Sequence, residues 1–243
     1  MTLSAIFLSE LTGTAALTLL GCGVVAANLL PRSKGRGGGW VLITFGWGLA
    51  VFVGVYAAFA SGGHLNPAVT VALAVAGRDL APGVAPTAAA IATYLSAQLL
   101  GAFLGAVGCW LVYHDHFREE APAEDKLGVF ATGPAIRHYG WNFVSEFIGT
   151  FVLVGWVLVS GHTPAQIGPL AVALVVTVIG MSLGGPTGYA INPVRDLGPR
   201  LAHAVLPIPG KGASDWAYAW IPILAPLAGG VAAALTMPLV TAI

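Results

Sequence analysis

The chain has 243 residues, of which 57% are hydrophobic and only 8% charged, against about a quarter charged in a soluble domain. That shortfall, with a mean hydropathy of +0.84, points to lipid as the solvent. Ten basic and ten acidic residues leave no net charge, which removes the electrostatic case for a nucleic-acid or anionic partner.

A spanning helix needs about 20 mostly apolar residues. The first candidate, Leu3 to Leu30, is interrupted only by Glu10, and its length argues against a cleavable signal core. A Gly-rich link carrying Arg32, Lys34 and Arg36 leads to Trp40 to Ala60, which has no charge. Ser61-Gly62-Gly63-His64-Leu65 is irregular, and Asn66 to Gly77 is apolar but too short to span. Leu80 to Tyr113 is the third span. His114 to His138 holds three basic and five acidic residues and is expected as an exposed loop. Trp141 to Val194 carries one charge, Glu146, and is too long for one helix; Gly161-His162-Thr163-Pro164 divides it into two spans. Gly184 to Ile191 is again Gly-rich, and Asn192 to Val205 is too short to span. Trp216 to Ile243 completes six spans. The 33 glycines suit close helix packing in a bilayer. Cys22 and Cys109 lie in apolar stretches and are expected as packed thiols.

Two segments recur. Ser9-Glu10-Leu11-Thr12-Gly13-Thr14 returns as Ser145-Glu146-Phe147-Ile148-Gly149-Thr150, and Gly63-His64-Leu65-Asn66-Pro67 returns loosely as Tyr189-Ala190-Ile191-Asn192-Pro193. Each half has the order span with Glu, span, Asn-Pro piece, span. Three spans per half is odd, so the second half enters from the opposite side, as an inverted repeat. The expected fold is an all-α membrane protein: six transmembrane helices plus two re-entrant half-helices. One domain covers 1–243, with repeats at 1–113 and 141–243 joined by 114–140.

Asn is a favoured N-cap and Pro is favoured at the first helical position. Asn66-Pro67 and Asn192-Pro193 therefore each predict the start of a half-helix. One copy alone would read as a turn; two in matching places do not. Irregular backbone at membrane depth is tolerated where it is buried or lines a wet cavity. Two opposed helix starts, each carrying roughly half a positive charge, repel cations and protons and leave neutral solutes alone. The Asn66 and Asn192 amides are expected to donate to a passing hydroxyl. The carbonyls of Gly62, Gly63 and His64, and of Gly188, Tyr189 and Ala190, are expected to accept from it.

Ser-Gly-Gly-His-Leu-Asn-Pro-Ala-Val-Thr at 61–70 and Gly-Tyr-Ala-Ile-Asn-Pro-Val-Arg-Asp-Leu-Gly-Pro-Arg at 188–200 resemble the two signature loops of the aquaporin and glycerol-facilitator family. The resemblance spans essentially the whole chain, including the Glu-x-x-Gly-Thr repeats and Gln98. It departs at Val194, where the family has Ala, adding bulk where the loops pack together. The resemblance implies a passive channel for glycerol and other small uncharged solutes, not an enzyme, with no cofactor or metal. It implies a homotetramer in the cell membrane with cytoplasmic termini. A count of Lys and Arg in short loops favours the reverse orientation, and the resemblance is followed over it.

By resemblance, the narrow filter maps to Trp47, Gly180, Tyr189 and Arg195. An Arg deep in a membrane costs about 2.5–3.5 kcal/mol on insertion scales and is usually functional; the matching residue of the first repeat is Val69. Arg195 would donate to two neighbouring hydroxyls, Trp47 and Tyr189 would face the carbon backbone, and Gly180 would leave room. Asp196 resembles the glycerol-passing branch, with helix-start stabilisation of equal weight. Glu10 and Glu146, with Gln98, are expected to brace the irregular loops rather than relay protons. The His64 carbonyl, not its imidazole, is expected to face the pore, and Arg200 and His203 to sit at the channel rim. Alternatives are a water-selective channel, argued against by Gly180, and a facilitator mainly for protonated lactic acid, urea or hydrogen peroxide. A proton-coupled transporter would need an unpaired carboxylate beside the loops, where only Asp196 lies. An intramembrane hydrolase would need a Ser–His pair that the spans lack.

Overall fold

A computed structural model describes residues 1–162 and 166–241. Among the described residues, ten α-helices follow in chain order: α1 Leu3–Leu29, α2 Gly39–Ala57, α3 Pro67–Val75, α4 Ala88–Val112, α5 His114–Arg118, α6 Ala123–Gly128, α7 Tyr139–Val159, α8 Pro169–Leu183, α9 Pro193–Val205 and α10 Trp220–Thr241. Five of them, α1, α2, α4, α7 and α10, are long and apolar enough to cross a membrane. The sixth expected span, α8, has 15 residues, or roughly 22 Å at 1.5 Å per residue. Glycine sets both of its ends: Gly168, with φ of +58°, stands before Pro169, and Gly184 caps the last turn. Of the expected break between the fourth and fifth spans, Thr163 and Pro164 lie outside the described residues, as do the last two residues of the expected final span.

The third span starts later than its apolar run. Pro82, Gly83 and Pro86 keep residues 80–86 in a tight turn closed by an Ala81–Val84 bridge, and Thr87 caps α4 by accepting from the Ala90 N–H. The charged connection also differs from a simple exposed loop. It folds into α5 and α6 and buries Phe117 and Phe130 completely. Lys126 is 3% exposed because its ammonium donates to the Pro209 carbonyl at 2.6 Å.

The halves pack alike. In the first, α1 lies against α2 and α4; in the second, α7 lies against α8 and α10; α2 and α8 join the halves. Each half-helix crosses to the other half, α3 onto α10 and α9 onto α4. Close approach explains two of the glycines. A methyl at Gly101 would strike the Leu11 carbonyl, and a methyl at Gly229 would strike the Phe147 carbonyl. Leu11 and Phe147 each follow the repeated Glu, so the same backbone contact is made twice, as small-residue packing in lipid requires.

Candidate pore site

The loops before α3 and α9 cannot be regular. Gly62, Gly63, Leu65, Gly188, Tyr189 and Ile191 all have positive φ, between +40° and +85°. For Leu, Tyr and β-branched Ile such backbone costs about 1–3 kcal/mol per residue and persists only where surroundings over-determine it. A buried carboxylate does this in each half. Glu10 accepts from the His64 N–H at 3.0 Å, the Leu65 N–H at 2.8 Å, the Ser61 hydroxyl at 2.6 Å and the Gln98 amide at 2.8 Å. Glu146 accepts from the Ala190 N–H at 2.9 Å and the Ile191 N–H at 2.8 Å. Tyr94, which sequence reasoning did not single out, donates to the Ser61 carbonyl at 2.6 Å. The His64 imidazole turns into the protein, between the Thr70 hydroxyl at 2.9 Å and the Leu80 carbonyl at 2.7 Å, and stacks on Tyr94.

The two Asn side chains are clasped across the halves. Asn66 accepts from the Ala68 N–H at 2.9 Å and donates to the Ile191 carbonyl at 2.8 Å. Asn192 accepts from the Val194 N–H at 3.1 Å and the Arg195 N–H at 3.3 Å, and donates to the Leu65 carbonyl at 2.8 Å. The left-handed turn at residues 65 and 191 aims those carbonyls across the contact. An amide NH₂ has two donors, so each Asn uses one on the opposite loop and retains one. Val194, the departure from the signature, is packed inside at 4% exposure.

Losing either amide removes a cap, worth about 1 kcal/mol, and a cross-loop bond, worth about 0.5–1.5 kcal/mol. Asn66→Ala and Asn192→Ala are therefore expected to lower stability by similar amounts, about 2 kcal/mol each. The comparison is thermal unfolding of both variants in detergent, alongside their flux. A loss confined to one variant would contradict the symmetric clasp.

One cavity of about 560 Å³ touches both loops. Its lining includes Trp47, Tyr189, Arg195, Asn66, Asn192, Gly62, Gly63, His64 and Ala190, with much of the remaining wall from apolar side chains such as Val51, Val55, Leu153 and Val176. Gly180 and Gly188 are not part of that wall. The space beside Gly180 is not open: a methyl there would lie 2.7 Å from Tyr189 Cζ and 2.9 Å from Thr44 Cγ2. The room that glycine leaves is taken by the Tyr189 ring. Arg195 is 8% exposed, and its guanidinium lies over Trp47, 3.8 Å from the ring centre. Among the described residues its contact is this cation–π face, and no hydrogen bond from its guanidinium to protein is found there. The Trp47 indole N–H and the Tyr189 hydroxyl are also buried without a protein partner.

Beside the cavity, Asp196 and Arg200 form a fully buried pair, so Arg200 is enclosed by protein and is not part of the cavity wall. Asp196 accepts from Arg200 Nε at 2.7 Å and Nη2 at 2.9 Å, from the Thr132 N–H at 2.8 Å and from the Thr132 hydroxyl at 2.7 Å. The remaining Arg200 N–H groups reach the carbonyls of Ser214, Asp215 and Thr132. All five guanidinium donors are thus used. His203, also fully buried, meets the Ser214 hydroxyl at 2.8 Å. Lys211 closes the end of α9 by donating to the carbonyls of His203, Ala204 and Leu206; burial lowers its pKa. Arg137, bonded to Asp215, has its pKa raised by that hydrogen bond first and by one to Tyr139 second. The Asp-x-x-x-Arg spacing signals such a pair on a helix; its anchor, Thr132, has no sequence signal.

The chain matches the major intrinsic protein family over residues 1–237. It is 53% identical over 231 residues to glycerol uptake facilitator protein 3 of Lactiplantibacillus plantarum, covering 94% of this chain and 93% of that one. It is 50% identical over 233 residues to a probable glycerol uptake facilitator protein of Thermotoga maritima, covering 93% and 95%. The solved structure of the aquaglyceroporin from Plasmodium falciparum superposes with a TM-score of 0.83 at 30% identity, covering 100% of both chains. With a match that runs almost from end to end and relatives that share half its residues, this chain belongs to the major intrinsic protein family.

Proposed function

We propose that the chain is a passive membrane channel for glycerol and other small uncharged solutes, passing water and excluding protons and ions. The observation that carries this reading is a cavity in which Trp47, Tyr189 and Arg195 meet the two Asn caps. A polyol needs an apolar surface for its carbons and donors for its hydroxyls. Trp47 and Tyr189 supply the first; Arg195 and the free half of each Asn amide supply the second. The filter consists of Trp47, Tyr189 and Arg195, with Gly180 as the seat of the Tyr189 ring. The loop carbonyls from Gly62 to His64 and at Ala190 accept hydrogen bonds from the hydroxyls as the solute moves past. The starts of α3 and α9 converge at the Asn pair, and their dipoles oppose any cation. Names of relatives and the structural neighbour support glycerol in particular. By family resemblance the protein is a homotetramer of the cell membrane with cytoplasmic termini.

The test is stopped-flow light scattering on proteoliposomes across water, glycerol, urea, dihydroxyacetone, hydrogen peroxide and lactic acid. Glycerol is expected to pass far faster than through protein-free vesicles, and planar-bilayer recordings are expected to show no proton or sodium current. Water flux without glycerol flux would instead make the channel water-selective. An ohmic cation current would overturn the dipole barrier.

A further inference from the structure

Trp40 opens α2, two turns before Trp47, and belongs neither to the cavity wall nor to any motif of the sequence. Its indole N–H donates to the Gly180 carbonyl at 2.9 Å. That carbonyl lies in the last turn of α8, one turn before its cap Gly184. The same indole meets the Tyr189 ring edge-on, with centroids 5.7 Å apart and planes at 77°. Gly180 and Gly184 lie one turn apart on the face of α8 under that ring. A methyl on Gly184 would sit 2.5 Å from Tyr189 Cδ1 and 3.0 Å from Trp40 Cζ2. Tyr189 is thus held in a notch with two glycines as its floor and Trp40 as its wall. Its backbone, strained at φ of +40°, is fixed by Glu146 through the next two N–H groups, whereas the ring is placed by what packs against it.

We propose that Trp40 is a positioning residue for the filter: by fixing Tyr189 in the glycine notch, it sets the bore at Arg195 and Trp47 and so the ratio of glycerol to water permeability. This rests on the channel reading above. Without the wall, the ring is no longer pressed onto the glycine floor, so it swings out over the cavity as well as into the vacated space and the bore is no longer held at its full width. A wide solute then loses more than water does.

The experiment is a double-mutant cycle in proteoliposomes, with water and glycerol flux measured in the same vesicles. Trp40→Ala is expected to lower the glycerol-to-water ratio about tenfold, which is about 1.4 kcal/mol of barrier difference. Trp40→Phe keeps a ring but loses the N–H and is expected to give a smaller drop, about threefold, equivalent to a smaller barrier difference. In a Tyr189→Ala background neither change should move the ratio, because no ring remains to be released. If Trp40→Ala does not assemble, the Trp40→Phe arm decides alone. An unchanged ratio, or a shift that persists without Tyr189, overturns the proposal. Wild-type vesicles that carry no glycerol flux would overturn the channel reading instead.

Discussion

Asp196→Ala is expected to be among the most destabilising single changes outside the pore, costing about 3–5 kcal/mol, the usual result of removing one partner of a buried ion pair. Four donors end on this carboxylate: two from Arg200 and two from Thr132. Both charged side chains are completely buried. Alanine leaves the guanidinium with three carbonyls but no anion, and leaves the Thr132 N–H without a partner. Asp196→Asn keeps an oxygen for that N–H while losing the charge, so a smaller loss is expected. Thermal unfolding of purified protein in detergent orders the three. Flux per inserted channel should fall too, because Asp196 follows Arg195 on the first turn of α9 and ties that turn to residue 132. If stability were unchanged and only the solute ratio moved, Asp196 would be a selectivity residue rather than a clamp.

The elements were legible because lipid imposes a simple rule, and runs of apolar residues bounded by glycine, proline and charge mark helices with little ambiguity. The Asn-Pro pairs predicted the starts of α3 and α9 to the residue, since a cap followed by proline permits few other structures. Glu10 and Glu146 could be matched to their loops because an intramembrane carboxylate needs N–H groups, and the irregular loops are where free ones occur. What sequence did not reveal were contacts between halves. Nothing local says that the Asn66 amide ends on the Ile191 carbonyl, or that Trp40 reaches Gly180 across 140 positions. The complete burial of Arg200 was not legible for the same reason. Its charge suggested solvent, and the carbonyls that accept from it come from residues 132, 214 and 215, far from it in the chain or in loops without pattern. The space beside Gly180 was misjudged because a missing side chain reads as a gap until the ring that fills it is known.

That ring decides what Gly180→His should do. A Cβ at residue 180 would lie 2.7 Å from Tyr189 Cζ and 2.9 Å from Thr44 Cγ2, well inside ordinary contact, so an imidazole cannot share the notch. Thr44 is fixed on α2 and fully buried, so Tyr189 gives way towards the cavity where Arg195 and Trp47 face each other. Two bulky rings then stand where one stood. Water can still pass along the Arg195 donors and gains another in the imidazole; glycerol loses both width and its apolar wall. The glycerol-to-water ratio is expected to fall by at least about tenfold, a barrier difference of roughly 1.4 kcal/mol. Paired osmotic and glycerol fluxes in the same vesicles measure it. The Gly180→His, Tyr189→Ala double variant separates crowding from a general defect. With the tyrosine ring removed, the imidazole can occupy the notch, and glycerol flux should recover most of the loss. Glycerol flux that stays low in the double variant would show that the histidine itself, rather than the displaced tyrosine, closes the pore, and an unchanged ratio in the single variant would take residue 180 out of the filter.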